Sequence, residues 1–97
     1  MDRATFEAAL TRDGFEIVSV AMKPGAINPE HVHPFDARLL VVEGAMTIDR
    51  EDSGQRTYAA GETFEMPVGT RHSETAGPAG ATYVAGRRVP AARKAMS

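Results

Sequence analysis

The sequence predicts an all-β protein, an antiparallel sandwich or barrel with one short N-terminal helix. Three observations lead there. From residue 15 onward the apolar residues fall in short runs rich in Val, Ile, Thr, Phe and Tyr. Gly and Pro turn signals separate those runs at close spacing. No strand pattern alternates with a helical one, so a parallel α/β sheet is excluded.

The helix comes first. Asp2 is placed to cap it, and Phe6, Ala9 and Leu10 fall at helical spacing, with Gly14 marking its end. Phe15–Met22 then reads as a strand, closed by Lys23-Pro24-Gly25. Pro29 and Pro34 bracket His31-Val32-His33. Leu39–Val42 is apolar on both faces and closes at Glu43-Gly44, and Met46–Arg50 follows as a separate strand. Asp52-Ser53-Gly54 turns the chain into Gln55–Ala59. Gly61 precedes Glu62–Met66, which stops at Pro67. After the tight turn Pro67–Thr70 comes Arg71–Thr75. Gly77–Gly80 reads as another turn, before a last strand Ala81–Ala85. The expected total is seven or eight short strands.

Ninety-seven residues make one domain, 1–97, with a core over about 14–87. With 42% apolar and 25% charged residues, disordered and low-complexity classes are excluded. The absence of Cys removes disulfides, thiolate metal sites and Cys nucleophiles together. No apolar run is long enough to cross a membrane, and acids stand where a signal peptide needs apolar residues, so a cytoplasmic protein is expected. Residues 1–86 hold seven Lys/Arg against thirteen Asp/Glu, while 87–97 hold four Lys/Arg and no acid. An acidic body argues against a nucleic-acid partner, and 88–97 reads as a loose basic tail.

The chemistry concentrates in three histidines. His31 and His33 stand at i and i+2, so an extended stretch sends both imidazoles to one face. His72 follows a turn and can bring a third from a neighbouring strand. Imidazoles suit Zn, Fe, Cu and Ni. Alone, a His-x-His pair is more often surface polarity than a site. The glycines and prolines around these residues carry the distinction.

Gly25 is followed after five residues by His31, then His33, then Gly44. Gly61 is followed after five residues by Pro67, then Gly69, then His72. This pairing resembles the two motifs of the cupin superfamily, G-x5-H-x-H-x3/4-E-x6-G and G-x5-P-x-G-x2-H-x3-N, and spans residues 25–76. The resemblance implies an antiparallel jelly-roll barrel with a divalent transition metal (Zn, Fe, Ni or Mn) held by His31, His33 and His72. It also implies a small-molecule ligand or substrate, and commonly a homodimer. Two motif positions depart from the family. The glutamate falls on Ala37, which cannot ligate, and the asparagine falls on Ala76. A three-imidazole site remains. Asp36, beside the vacant position, becomes a fourth ligand or an imidazole anchor if Pro34 introduces a bulge.

Leu39 and Val41 share the parity of Ala37, and Phe64 shares that of Met66. These four are expected to line the pocket or its core, while Glu30 and Glu74 are expected to face outward. Leu40 and Val42 make the opposite face apolar. The helix covers part of it, and a partner subunit is expected over the remainder. Two functions fit: a metal-dependent enzyme acting on a small molecule, such as an oxygenase or isomerase, or a non-catalytic binding or sensing module with no required metal.

Overall fold

The structure, a computed structural model, describes residues 1–90. Helix α1 (Arg3–Arg12) is followed by six strands: β1 (Glu16–Met22), β2 (Ile27–His31), β3 (Asp36–Arg50), β4 (Gly54–Ala59), β5 (Thr63–Met66) and β6 (His72–Arg88). Every pairing is antiparallel. The helix starts as expected, with the Asp2 carboxylate accepting the Thr5 N–H at 2.9 Å.

The spine is the pair β3–β6, and each of these strands is long and bent. The first part of β3 pairs with the last part of β6, from Asp36↔Arg88 to Gly44↔Ala81. The second part of β3 pairs with the start of β6, from Met46↔Ala76 to Arg50↔His72. In the first half β5 flanks β3 and β1 flanks β6; in the second β4 flanks β3 and β2 flanks β6. One core joins the two halves. Ala37, Leu39 and Val41 pack there with Met46, Ile48, Tyr58, Phe64, Met66 and Tyr83.

The expected strand breaks at Glu43-Gly44 and Gly77–Gly80 are therefore corrected. The chain runs on through both places and bends instead. The ladder shifts register on either side of Gly44, between Val41 and Glu43 and again between Gly44 and Met46. Gly44 has φ +73°, and a Cβ there would sit 2.1 Å from the Gly80 carbonyl oxygen. Two strands cross at this corner with no room for a side chain. Gly and Pro in the sequence signalled a bend, and the sequence does not say whether a bend ends a strand.

The outer face of the sheet is covered in part by the chain itself. Leu40 is 1% exposed, packed with Phe6, Leu10, Phe15 and Val84. One chain covers this residue alone, because Phe15 adds to the cover that α1 provides. Leu40 thus has its cover within the chain, while Ile17 and Val42 stay partly buried on this face. α1 sits close to the sheet: a Cβ at Gly86 would meet the Leu10 side chain at 2.4 Å. Arg38 and Arg88 both lie over the Phe15 ring, and the Asp13 carboxylate accepts from Arg38 at 2.6 Å.

Arg88 belongs to β6, so the sheet enters the stretch 88–97 expected as a tail; residues 91–97 of it lie outside the described residues. No helix among the described residues is long and apolar enough to cross a membrane.

Candidate metal centre

His31 ends β2 and His72 begins β6, and the two are direct partners in the β2–β6 ladder. That register brings together residues forty-one positions apart. Pro29 falls inside β2, where the ladder shifts between Asn28 and His31, a place where its missing N–H costs nothing. His33 lies beyond the strand, so the expected shared strand face applies to His31 alone. The loop nevertheless turns His33 back. Its carbonyl accepts the Gly69 N–H at 3.1 Å, which ties the first histidine segment to the Pro67–Thr70 turn.

The rings converge. His31 Nε2 lies 3.1 Å from His33 Nε2, and one nitrogen from each of the three residues falls within 4.8 Å of the others. The ring of His72 lies 4.4 Å from that of His31 and 5.2 Å from that of His33. Two of the rings have their tautomer set by backbone. His31 Nδ1 is 2.7 Å from the Pro29 carbonyl and His72 Nδ1 is 2.9 Å from that of Thr70. A carbonyl only accepts, so both Nδ1 atoms carry the proton and both Nε2 atoms present a lone pair. His72 is 1% exposed, and its Nε2 has no hydrogen-bond partner. A buried imidazole nitrogen without a partner is costly, and a metal ion satisfies it. Imidazole ligands need about 2.0–2.1 Å to an ion, which fits the 3.1 Å spacing of His31 and His33 at roughly a right angle. A proton also fits that spacing, so protons and an ion compete for it.

The electrostatics are mixed. Burial holds the His33 pKa below its ordinary value, and the charges of His31 and His72 add to this. His72 is shifted upward, because the Glu74 carboxylate lies beside it, with Oε2 3.7 Å from Nε2. Glu74 is the residue most misplaced by sequence reasoning. Expected to face outward, it is 5% exposed and lines the cavity beside the histidines. Its register partner is the buried Ile48, two places from the Arg50↔His72 pair. Parity with His72 was the available signal. Burial raises the Glu74 pKa, but its contacts with His72 and Asn28 outweigh this and leave it lowered. Asn28 Nδ2 donates to Glu74 Oε1 at 2.7 Å. Glu30 is exposed at the rim and faces Arg71 at 3.4 Å.

Asp36 stands apart from the three-histidine group. Its Oδ1 accepts the Val68 N–H at 2.9 Å, so this carboxylate holds the turn that leads to His72. Ala37, at the vacant motif position, lines the cavity. Of the four side chains expected around the pocket, Leu39 and Met66 line it. Val41 and Phe64 lie in the core behind, with Phe64 stacked on Tyr58 at 4.2 Å. The cavity holds about 470 Å³. Sequence reasoning missed further lining residues, among them Phe35, stacked on His33 at 4.7 Å, Val20, Tyr83, Ala85 and Arg87. Burial pushes the Tyr83 hydroxyl up to about 12.

A bent antiparallel sandwich with three convergent imidazoles beside its core defines a class of small jelly-roll proteins whose histidines could hold a metal ion. The chain belongs to the cupin domain family, whose profile matches residues 18–84. Among curated proteins it is similar to germin-like protein 9-3 of Oryza sativa subsp. japonica, 39% identical over 54 residues, covering 50% of this chain and 25% of that protein. Germin-like protein 3-7 of the same plant is 36% identical over 69 residues, covering 66% of this chain and 30% of that protein. The chain thus spans about a third or less of these relatives. Among solved structures, an oxalate decarboxylase variant of Bacillus subtilis matches with TM-score 0.71 at 23% identity, over 77% of this chain and 21% of that one. An RmlC-like cupin from Shewanella frigidimarina matches with TM-score 0.69 at 21% identity, over 82% and 70%. KdgF from Halomonas sp. matches with TM-score 0.64 at 27% identity, over 76% and 69%.

Proposed function

We propose that this cupin domain holds a divalent transition-metal ion on His31, His33 and His72 and presents it to a small molecule in the adjoining cavity. The observation that carries the reading is the buried His72 Nε2, without a hydrogen-bond partner, on a ring that lies 4.4 and 5.2 Å from two further imidazoles. Nitrogen donors suit Zn, Fe and Ni, and the oxalate decarboxylase of Bacillus subtilis, which shares the fold, has Mn(II) centres. When bound, the ion supplies a Lewis acid that polarises an oxygen of the molecule.

The chain's own residues do the remainder. The Pro29 and Thr70 carbonyls hold two rings in the ligating tautomer. Phe35 packs flat on His33 and limits its rotation. Val20, Leu39, Met66 and Ala85 provide an apolar wall that displaces water. Glu74 places a negative charge near the centre, held by Asn28. A metal-free binding or sensing module is the competing reading, in which the His72 nitrogen has only the Glu74 carboxylate beside it, at 3.7 Å.

The test is the metal content of purified wild type and His72→Ala. The expected result is close to one ion per chain in wild type and a large loss in the variant. Wild-type protein that takes up no ion, even after incubation with Zn²⁺, Mn²⁺, Fe²⁺ or Ni²⁺, overturns the metal reading in favour of the metal-free module.

A further inference from the structure

We infer that Glu74 is a fourth ligand of the ion, so that the carboxylate the motif sets on β3 at position 37 comes in this chain from β6. The inference rests on the metal reading above and adds a residue to its donor set.

Glu74 and His72 stand two places apart on β6, and both side chains are on its inner face, 5% and 1% exposed. A carboxylate in the interior needs a partner for its charge. The protein supplies one for half of it. Asn28, the register partner of Glu74 on β2, donates to Oε1 at 2.7 Å. Among the described residues Oε2 accepts no hydrogen bond. It lies 3.7 Å from His72 Nε2, too far for a hydrogen bond. The Thr70 carbonyl fixes the His72 proton on Nδ1, so in the neutral ring the Nε2 beside this oxygen carries a lone pair. Two buried acceptors side by side repel each other unless a cation lies between them. Donors at about 2.0–2.2 Å from one ion stand up to roughly 4 Å apart, so a single ion reaches both atoms.

Charge points the same way. Imidazole ligands are neutral and offset none of the charge of a divalent ion. Ala37 offers no donor at the motif position, although it lines the same cavity. Of the other acids nearby, Glu30 is exposed and faces Arg71, and Asp36 holds the Val68 N–H. Glu74 is not one of the three residues whose ligand atoms lie within 4.8 Å of one another, and it adjoins that group at His72. Asn28 restrains one of its oxygens and leaves the other for the ion.

The experiment titrates wild type and Glu74→Gln with Mn²⁺ and with Zn²⁺ at pH 8, where free imidazole is neutral. The amide keeps the size of the side chain, and its oxygen still accepts from Asn28. The expected loss is about tenfold or more for Mn²⁺ and smaller for Zn²⁺, because the harder ion depends more on oxygen donors. A Glu74 that acted only by favouring protonated His72 would weaken the ion, and its removal would tighten binding. Tighter binding therefore overturns the proposal. Infrared difference spectra of wild type on adding Zn²⁺ give a measurement that needs no variant. Ligation is expected to shift a carboxylate stretching band, and a spectrum without any carboxylate change overturns the proposal even if Glu74→Gln does not fold. Uptake that Glu74→Gln leaves unchanged overturns this proposal alone, while wild type that takes up neither ion removes the metal reading and this proposal with it.

Discussion

At the scale of single residues, the site depends on which groups can be neutral and which carry charge. Ligating imidazoles must be unprotonated, and an unperturbed His titrates near ~6.5. Burial favours neutral His33, whereas Glu74 stabilises protonated His72. Of these two, His72 is where protons would compete more strongly with an ion. Metal affinity is expected to fall by about tenfold or more between pH 7 and pH 5. In Glu74→Gln the raised His72 pKa drops, and the fall begins at lower pH. Metal titrations of both proteins at two pH values measure this, and identical profiles would show that Glu74 does not tune His72. Position 37 offers a second test. Ala37→Glu adds a carboxylate to the cavity wall and is expected to tighten Mn²⁺ by about tenfold, since a hard ion prefers oxygen to nitrogen. No gain would mean that the side chain at 37 does not reach the ion.

At the scale of elements, the bent spine and the docked helix carry the stability. Gly44 has a left-handed φ, and a Cβ there meets the Gly80 carbonyl, which is backbone and cannot swing away. Gly44→Ala is expected to cost more than about 2 kcal/mol in chemical denaturation, from strain and overlap together. A loss of a few tenths would mean the corner yields easily. Leu40 distinguishes cover by the helix from cover by a second chain. Because Phe6, Leu10, Phe15 and Val84 enclose it, Leu40→Glu buries a charge within one chain. The expected loss is about 3 kcal/mol or more, independent of protein concentration. A concentration-dependent loss, or a shift in sedimentation toward monomer, would place a partner subunit on this face.

At the scale of the whole molecule, an ion at this site is a cross-link. It joins the end of β2, the loop after it and the start of β6, segments that meet only in the folded chain. An ion that binds the folded state and not the unfolded one stabilises by mass action, by about 2.7 kcal/mol at 100 times the dissociation constant. For a domain this size that corresponds to roughly 10–20 °C in midpoint temperature. Thermal unfolding with excess Zn²⁺ and then with a chelator measures it. His33→Ala should lose most of the rise, and an equal rise in that variant would place the ion elsewhere.

The sequence by itself determined the class of fold, the capped helix and the three histidines as a set. Each of these is written in local signals: β-branched runs between turn residues, Asp2 ahead of a helical stripe, and histidines in a fixed frame of Gly and Pro. Parity along a strand is equally local, and it correctly grouped Leu39 and Val41 with Ala37. What only the tertiary structure decided depends on contacts between distant segments. Gly44 and Gly77–Gly80 look the same in sequence whether a strand ends or bends, and only the pairing of β3 with β6 makes them a corner. Leu40 is apolar in either case, and only the docking of α1 and Phe15 supplies its cover. Arg87 reads as the last residue before a basic tail until register places it opposite Ala37 at the cavity. Glu74 lies between these cases, because its parity with His72 is legible while the burial of that face is not. Local chemistry sets which conformations a segment prefers, and long-range packing decides what each segment faces.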